Sequence, residues 1–455
     1  MCGVFGLRAP SRDVARLTYF GLYALQHRGQ ESAGIAVSEN SRLTAIRDLG
    51  LVPQVFDERN LSALRGEYAI GHTRYSTTGG NAWANAQPLL HHGRVRTVAL
   101  GHNGNLVNAT ALRTEVGKSL ASTSDSEVIA ALIADDERPL EEAIVATMAR
   151  LEGAATVVGL ADGKLFAFRD PHGFRPLVIG RLGDDPVVAS ETCALDLVGA
   201  TFERDVRAGE LVVVDDDGLR SIQALEPAEH GALCIVEFFY LARPDTRLAG
   251  VEVHGARVRM GERLAAEAPV EADLVLPIPD SGTPAAIGFA RATGIPFSEG
   301  LIKNRYVGRT FIQPEQGMRE QGIRMKFNPL AEVAGKRLVV VDDSIVRGST
   351  TRQIVQMLFD AGAKEVHVRV SSPPVVSPCY YGIDLASEDE MIASHSTVEE
   401  VCAAIGATSL AYISLDGLQA ATRRPESALC RACLTRVYPT RIPADAAKHR
   451  FEAAV

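Results

Sequence analysis

Apolar positions recur along this chain with two periods, and each predicts a different element. The richest stretch is Leu338–Thr350, LVVVDDSIVRGST. Leu338 to Val341 are branched and apolar, which predicts a short buried strand. Asp342 and Asp343 follow at its C-terminal end, then a loop over Ser344–Gly348, with Ser349 and Thr350 opening a helix. Ile354, Val355, Met357, Leu358 and Ala361 fall at helical spacing, so the helix is predicted over 350–361 with Gly362 as its stop.

The same unit recurs upstream. Ala272–Ile278 predicts a strand, ending in Pro279-Asp280-Ser281-Gly282-Thr283, and a helix runs on to Gly294. Glu365–Val370 predicts a further strand, and His254–Ala266 is helical by period. Strands alternating with helices indicate a parallel sheet, with the two βα turns side by side. The first half reads differently. Helices are predicted over 13–26 and Leu140–Leu151, and a hairpin joins Ala155–Leu160 to Lys164–Arg169 through Asp162-Gly163. A second hairpin starts at Glu210–Val214. Ser122–Glu127 opens a helix with a capping box expected between Ser124 and Glu127. The strand pattern stops near Ser221–Leu233, which predicts two domains, 2–232 and 233–455. Phe238–Asp245, aromatic and then turn-like, is expected to pack the halves together.

Composition narrows the class. A chain of 455 residues is long for one core. It is 46% hydrophobic and 23% charged, as soluble enzymes are, and its net charge of −9 argues against a nucleic-acid binder. No run of 18 apolar residues suggests a membrane span. No basic segment followed by an apolar one opens the chain, so a cytoplasmic location is expected.

The chemistry sits on the turns. A strand, an acidic pair, a small-residue loop and a helix N-terminus suit a phosphorylated sugar. Loop N–H groups and the helix dipole attract phosphate, while the carboxylates accept from ribose hydroxyls or hold hydrated Mg²⁺. Cys2 becomes N-terminal if Met1 is removed, and its α-amino group, with a pKa of about 7.7–8.0, can then serve its thiol as base. Polar, glycine-bearing turns follow: His27–Gly34, Gly71–Thr77, Gly101–Asn105 and Ser122–Glu127. Such turns are where sites are built.

Cys2 through Asp125 resembles the glutaminase domain of the N-terminal-nucleophile (class II) glutamine amidotransferases. DDSIVRGST resembles the phosphoribosyl pyrophosphate (PRPP) loop of type I phosphoribosyltransferases. Together they resemble the amidophosphoribosyltransferases over nearly the whole chain. The resemblance implies an αββα sandwich followed by an α/β phosphoribosyltransferase domain. It implies Cys2 as nucleophile, Asn103 and Gly104 as oxyanion hole, and Arg74 and Asp125 as glutamine anchors. His27, His72 and His102 are read as structural. PRPP is expected on Lys303, Arg305, Tyr306 and Arg309 of a basic lid, and on Asp342, Asp343, Ser344, Arg347, Gly348, Ser349 and Thr350. Mg²⁺ is expected on Ser281, Asp342 and Asp343. Removal of Met1 alone is expected to release Cys2.

Cys430-Arg431-Ala432-Cys433 has the spacing of one edge of a metal site, with Cys234 and Cys379 as the distant candidates. Spacing alone allows free thiols, a Zn(Cys)₄ site or an iron–sulfur cluster. The family has a branch with a [4Fe–4S] cluster in these contexts, which implies a structural cluster here. Cys193 and Cys402 are read as core cysteines. Small-molecule substrates and a homotetramer are likewise implied by the family. Two rivals remain. A glutamine-dependent aminotransferase of sugar phosphates would need an isomerase domain where DDSIVRGST stands. A PRPP-sensing regulator would lack the Cys2 site and show a basic face.

Overall fold

The computed structural model describes residues 2–117, 120–304, 325–385 and 387–443. Its first half is built on two stacked antiparallel sheets. One runs, in spatial order, Thr201–Asp205, Val178–Leu182, Asp185–Ala189, Gly3–Arg8, Tyr68–Arg74, Ser32–Glu39, Arg42–Leu49. The other runs Gly218–Gln223, Glu210–Asp215, Lys164–Arg169, Gly153–Ala161, Thr97–Leu106, Leu89–His92. Period-2 alternation decides what each face meets. Along Gly3–Arg8, Val4 faces the inter-sheet layer with Ile70, Val158 and Leu165. Phe5 and Leu7 face the opposite way, onto helix Val14–Ala24. Helices Asp125–Asp135 and Leu140–Met148 cover the outer face of the second sheet. The expected αββα sandwich is therefore present.

The second half carries the expected parallel sheet, in the order Leu274–Pro277, Arg337–Asp342, Glu365–Val370, Ser409–Tyr412. Leu338 pairs with Leu274 on one side and Val366 on the other. Val339 and Val341 point toward helices Val253–Glu267 and Thr283–Thr293. Leu338 and Val340 point toward helix Ser349–Asp360, whose Ile354, Val355 and Leu358 complete that side. Burial on both faces explains the unbroken apolar run in this strand.

Several local expectations need correction. Ser124 caps helix Asp125–Asp135 by accepting from the Ser126 N–H, and Glu127 instead accepts from the Ala121 and Ser122 N–H groups. The loop thus folds back over the helix, and the reciprocal capping box does not form. Phe238–Asp245 is aromatic and then turn-like as expected, but its first part is helical: Glu237–Leu241 is a π-helical segment with Phe238 and Phe239 in the second-half core, and the turn falls at Pro244–Asp245. Cys193 is core, but Cys402 is only half-buried, its Sγ donating to the Ala407 carbonyl at 3.4 Å.

The halves meet through buried charge. The Arg28 guanidinium donates to Glu237 Oε1 at 2.7 Å and Oε2 at 3.0 Å, and also pairs with Glu191. Arg175 donates to the Tyr381 carbonyl at 2.6 Å and 3.1 Å. All three first-named side chains, Arg28, Glu191 and Glu237, are wholly inaccessible. Burial alone would lift the Glu191 carboxyl, yet His27 and Arg28 hold it well below the usual carboxylate range. Such networks are costly to break at one member only. Among the described residues, no helix is long and apolar enough to cross a membrane.

Candidate active site

The first centre forms where the two sheets approach at the chain's start. Cys2 precedes the Gly3–Arg8 strand, whose Gly3 pairs with Thr73. Across the layer, Asn103 lies on Thr97–Leu106, paired with Thr156. The Cys2 backbone N–H donates to Asn103 Oδ1 at 3.3 Å, and Arg28 Nε donates to the Cys2 carbonyl at 2.9 Å. Cys2 Sγ lies 3.6 Å from the Tyr75 carbonyl oxygen. The Asn103 Nδ2 is buried with no acceptor. A buried amide donor without a partner is expensive unless a ligand oxygen uses it. Gly104 follows in a strand with no room for a side chain, because a Cβ there would stand 2.0 Å from the Ala154 carbonyl oxygen.

Arg74 ends its strand buried, its Nη atoms donating to the Gly80 and Gly79 carbonyls at 3.0 Å. It therefore shapes the loop at residues 78–80. Asp125 sits at the first turn of its helix, accepting from the Leu106 N–H at 2.9 Å, with His102 Nδ1 at 3.8 Å from its Oδ1. Burial opposes protonation of His102, but the Asp125 carboxylate raises its pKa overall. His72 faces no such partner. Burial lowers its pKa to about 3, and its Nε2 donates to the His102 carbonyl at 3.0 Å. Both histidines are buried and make hydrogen bonds within the domain. His27 pairs with Glu191 at 2.7 Å in the domain junction.

One contributor gave no signal in the sequence. Tyr380–Asp384, from the second half, lies over this centre. Asn105 Nδ2 donates to the Tyr380 carbonyl at 2.9 Å, and the Tyr75 hydroxyl donates to Asp384 Oδ2 at 3.2 Å. Thr78 in turn hydrogen-bonds Asn105 Oδ1.

The second centre lies at the C-terminal edge of the parallel sheet. Asp342 ends its strand, and Asp343 donates its N–H to Asp342 Oδ1 at 2.9 Å. Ser281, from the neighbouring turn, donates to Asp343 Oδ2, and Ser344 donates to Oδ1. The adjacency expected of the two turns is thus met. Burial and the charge of Asp343 push the Asp342 carboxyl well up. Burial lifts Asp343 as well, against the Ser281 and Ser344 hydroxyls and the charge of Arg257. Two adjacent buried carboxylates with a serine hydroxyl beside them could hold a divalent metal. Gly348, at φ +74°, turns the chain into helix Ser349–Asp360, whose first residues Ser349 and Thr350 stand exposed. Arg347 pairs with Glu390 at 2.9 Å, and Lys303 pairs with Asp280. Arg305, Tyr306 and Arg309 lie outside the described residues. Arg257 was not anticipated: it is buried, donates to the Phe238 and Ala242 carbonyls at 2.8 Å, and adds positive charge near Asp343.

The cysteines gather at the domain junction. Leu233–Cys234 pairs in parallel with Leu429–Cys430, so Cys234 stands opposite Cys430. Cys379 Sγ accepts from the Tyr381 and Ile383 N–H groups at 3.4 Å. Burial pushes the Cys234 thiol up to about 11 and those of Cys430 and Cys433 higher, with Cys379 charge adding to each. All are free thiols. Among the described residues no three His, Cys, Asp or Glu side chains are already drawn together as metal ligands. The N–H donors to Cys379 would suit a thiolate at that position.

Residues 72–197 match the family described as glutamine amidotransferase domain, and residues 254–372 match that described as phosphoribosyl transferase domain. The amidophosphoribosyltransferase of Mycobacterium tuberculosis is 53% identical over 463 residues, covering 98% of this chain and 88% of that protein. That of Bacillus subtilis is 47% identical over 464 residues, covering 100% of this chain and 97% of the other. Among solved structures, glutamine PRPP amidotransferase from B. subtilis complexed with ADP and GMP superposes with a TM-score of 0.91 at 46% identity, covering 98% of both chains. A structure described as the allosteric regulatory enzyme of purine biosynthesis gives 0.94 at 46% identity, covering 100% of this chain and 99% of that one.

Proposed function

The chain belongs to the amidophosphoribosyltransferase family, and from that premise we propose how its two centres divide the work. The Cys2 thiolate attacks the side-chain amide carbon of glutamine. The oxyanion takes the Asn103 Nδ2 and Gly104 N–H as donors, and as the tetrahedral intermediate collapses the Cys2 α-ammonium returns the proton it took from the thiol to the departing nitrogen, which leaves as ammonia. Water then cleaves the thioester to glutamate. Arg74 and Asp125 hold the amino-acid end of glutamine.

Ammonia attacks C1 of PRPP as the C1–O bond to pyrophosphate breaks, giving 5-phosphoribosylamine, the first step of purine synthesis. Ser344, Gly348, Ser349 and Thr350 hold the 5-phosphate at a helix N-terminus, with Arg347 beside it. Lys303, with Arg305, Tyr306 and Arg309, covers the pyrophosphate. Mg²⁺, when bound, offsets the charge of the leaving pyrophosphate, and Asp342, Asp343 and Ser281 would hold it. Ammonia released into water near neutral pH would be largely protonated and unreactive, so passage inside the protein follows.

The orphaned Asn103 Nδ2 next to Cys2 carries this reading. Cys2→Ala should abolish synthesis from glutamine and spare synthesis from ammonium salt; equal loss of both would refute the division.

Cys234, Cys379, Cys430 and Cys433 suit a [4Fe–4S] cluster of structural role, supported by the burial of Cys234, Cys430 and Cys433 at the junction and by the half-buried Cys379 set against them. Visible absorption and iron analysis of anaerobically purified protein test this. A colourless zinc protein would replace the cluster and leave the enzyme. A cytoplasmic homotetramer acting on small molecules alone, without nucleic acid or membrane, completes the proposal.

A further inference from the structure

Away from both centres, a cavity of about 310 Å³ opens between the two halves. Its walls include Asp205, Val206 and Arg207 at the edge of the first sheet and Leu248, Ala249 and Arg424 from the second half, with Arg169 behind them. Arg169 is 9% exposed. Its Nη atoms donate to the Val206 and Gly173 carbonyls, and its Nε is buried with no acceptor. Arg424 repeats the pattern: Nη1 reaches the Ala249 carbonyl at 3.4 Å, and its buried Nε has no acceptor.

Backbone carbonyls satisfy some donors but do not neutralise charge. Among the described residues neither Arg169 nor Arg424 forms an ion pair. Of the nearby acids, Glu210 and Asp170 are committed elsewhere. Glu210 pairs with Arg204 at 2.7 Å and Arg207 at 3.4 Å. The Asp170 carboxylate accepts from the Ala155, His172 and Phe174 N–H groups. Asp205 accepts from the Ala249 N–H, and burial lifts its carboxyl against the pull of Arg169 and Arg424. Asp205 thus offsets part of the charge of Arg169, which is buried, and Arg424, which is half-buried; with Arg207 beside them the cavity wall keeps an excess of positive charge that suits an anion.

We propose that this inter-domain cavity binds a small organic anion, through a phosphate or carboxylate group held by Arg169, Arg207 and Arg424, with its apolar part on Val206 and Leu248. Pockets of this size hold a small metabolite. The ligand would touch both halves at once, so its binding would tie them together.

Inorganic phosphate and acetate are the probes, titrated calorimetrically into the full-length protein saturated with PRPP and Mg²⁺, with glutamine omitted. PRPP fills the known type of phosphate site, so any remaining binding reports another. The expected result is saturable binding of phosphate, of acetate or of both, weakened at least tenfold by Arg424→Gln and by Arg207→Gln. Preference for phosphate over acetate would assign a phosphorylated ligand, and the reverse a carboxylate. Arg207 is largely exposed, so its variant keeps the test valid if Arg424→Gln fails to fold. Absence of binding under PRPP saturation, or binding that neither variant weakens, overturns the proposal.

Discussion

Gly382 rests directly on Gly104, backbone against backbone: a Cβ on Gly382 would stand 3.1 Å from the carbonyl carbon and oxygen of Gly104. The two come from different halves of the chain, and Gly104 belongs to the proposed oxyanion hole. Gly382 also holds φ +102°, where a side chain is strained. Gly382→Ala should therefore displace the Gly104 strand. Glutamine-dependent synthesis is expected to fall by about tenfold or more, since about 1.4 kcal/mol of transition-state stabilisation is a factor of ten. Ammonium-dependent synthesis measured in the same sample should hold. Parallel loss would point to a general folding defect.

Asn103→Ala removes the unpartnered donor. Loss of one oxyanion donor costs about 10²–10³ in kcat. Glutaminase kcat should fall in that range with KM little changed, because the donor is used chiefly in the transition state. A KM effect alone would assign Asn103 to ground-state binding.

Asp342→Ala and Asp343→Ala act at the other centre. Both should depress synthesis from glutamine and from ammonium alike. Titration with Mg²⁺ in the presence of PRPP, followed calorimetrically, should show weakened metal binding in each. Full activity in either variant would exclude that carboxylate.

The buried His72 links stability to acid. Its pKa is ordinary, near 6.5, when unfolded and about 3 when folded. The unfolded chain takes up this proton first, so stability is undiminished above about pH 6.5 and declines as pH falls toward 3. Chemical denaturation across that range should show the decline, and His72→Gln should flatten it.

The sequence revealed elements better than their meeting points. Glu365–Val370 was delimited to the residue, because apolar alternation and its flanking turns are local signals. Arg337–Asp342 extended one residue beyond the apolar run at each end, since pairing on both sides continues past the side chains that are dry. Asp343 and Ser281 came together as the two βα turns required. By contrast, Glu127 could have capped its own helix and instead satisfied the loop before it, a choice made by tertiary folding. The Arg28–Glu237 pair and the Tyr380–Asn105 bond join residues hundreds of positions apart, and nothing in either neighbourhood announces the other.

The short parallel pairing of Leu233–Cys234 with Leu429–Cys430 fastens the entrance of the second half to its far end. During synthesis the earlier partner must wait for about two hundred residues to leave the ribosome. The amino-terminal sandwich can settle in that interval, while the junction that receives its buried charges is closed last. Premature termination anywhere before Leu429 would therefore strand a finished first half beside an unfastened second.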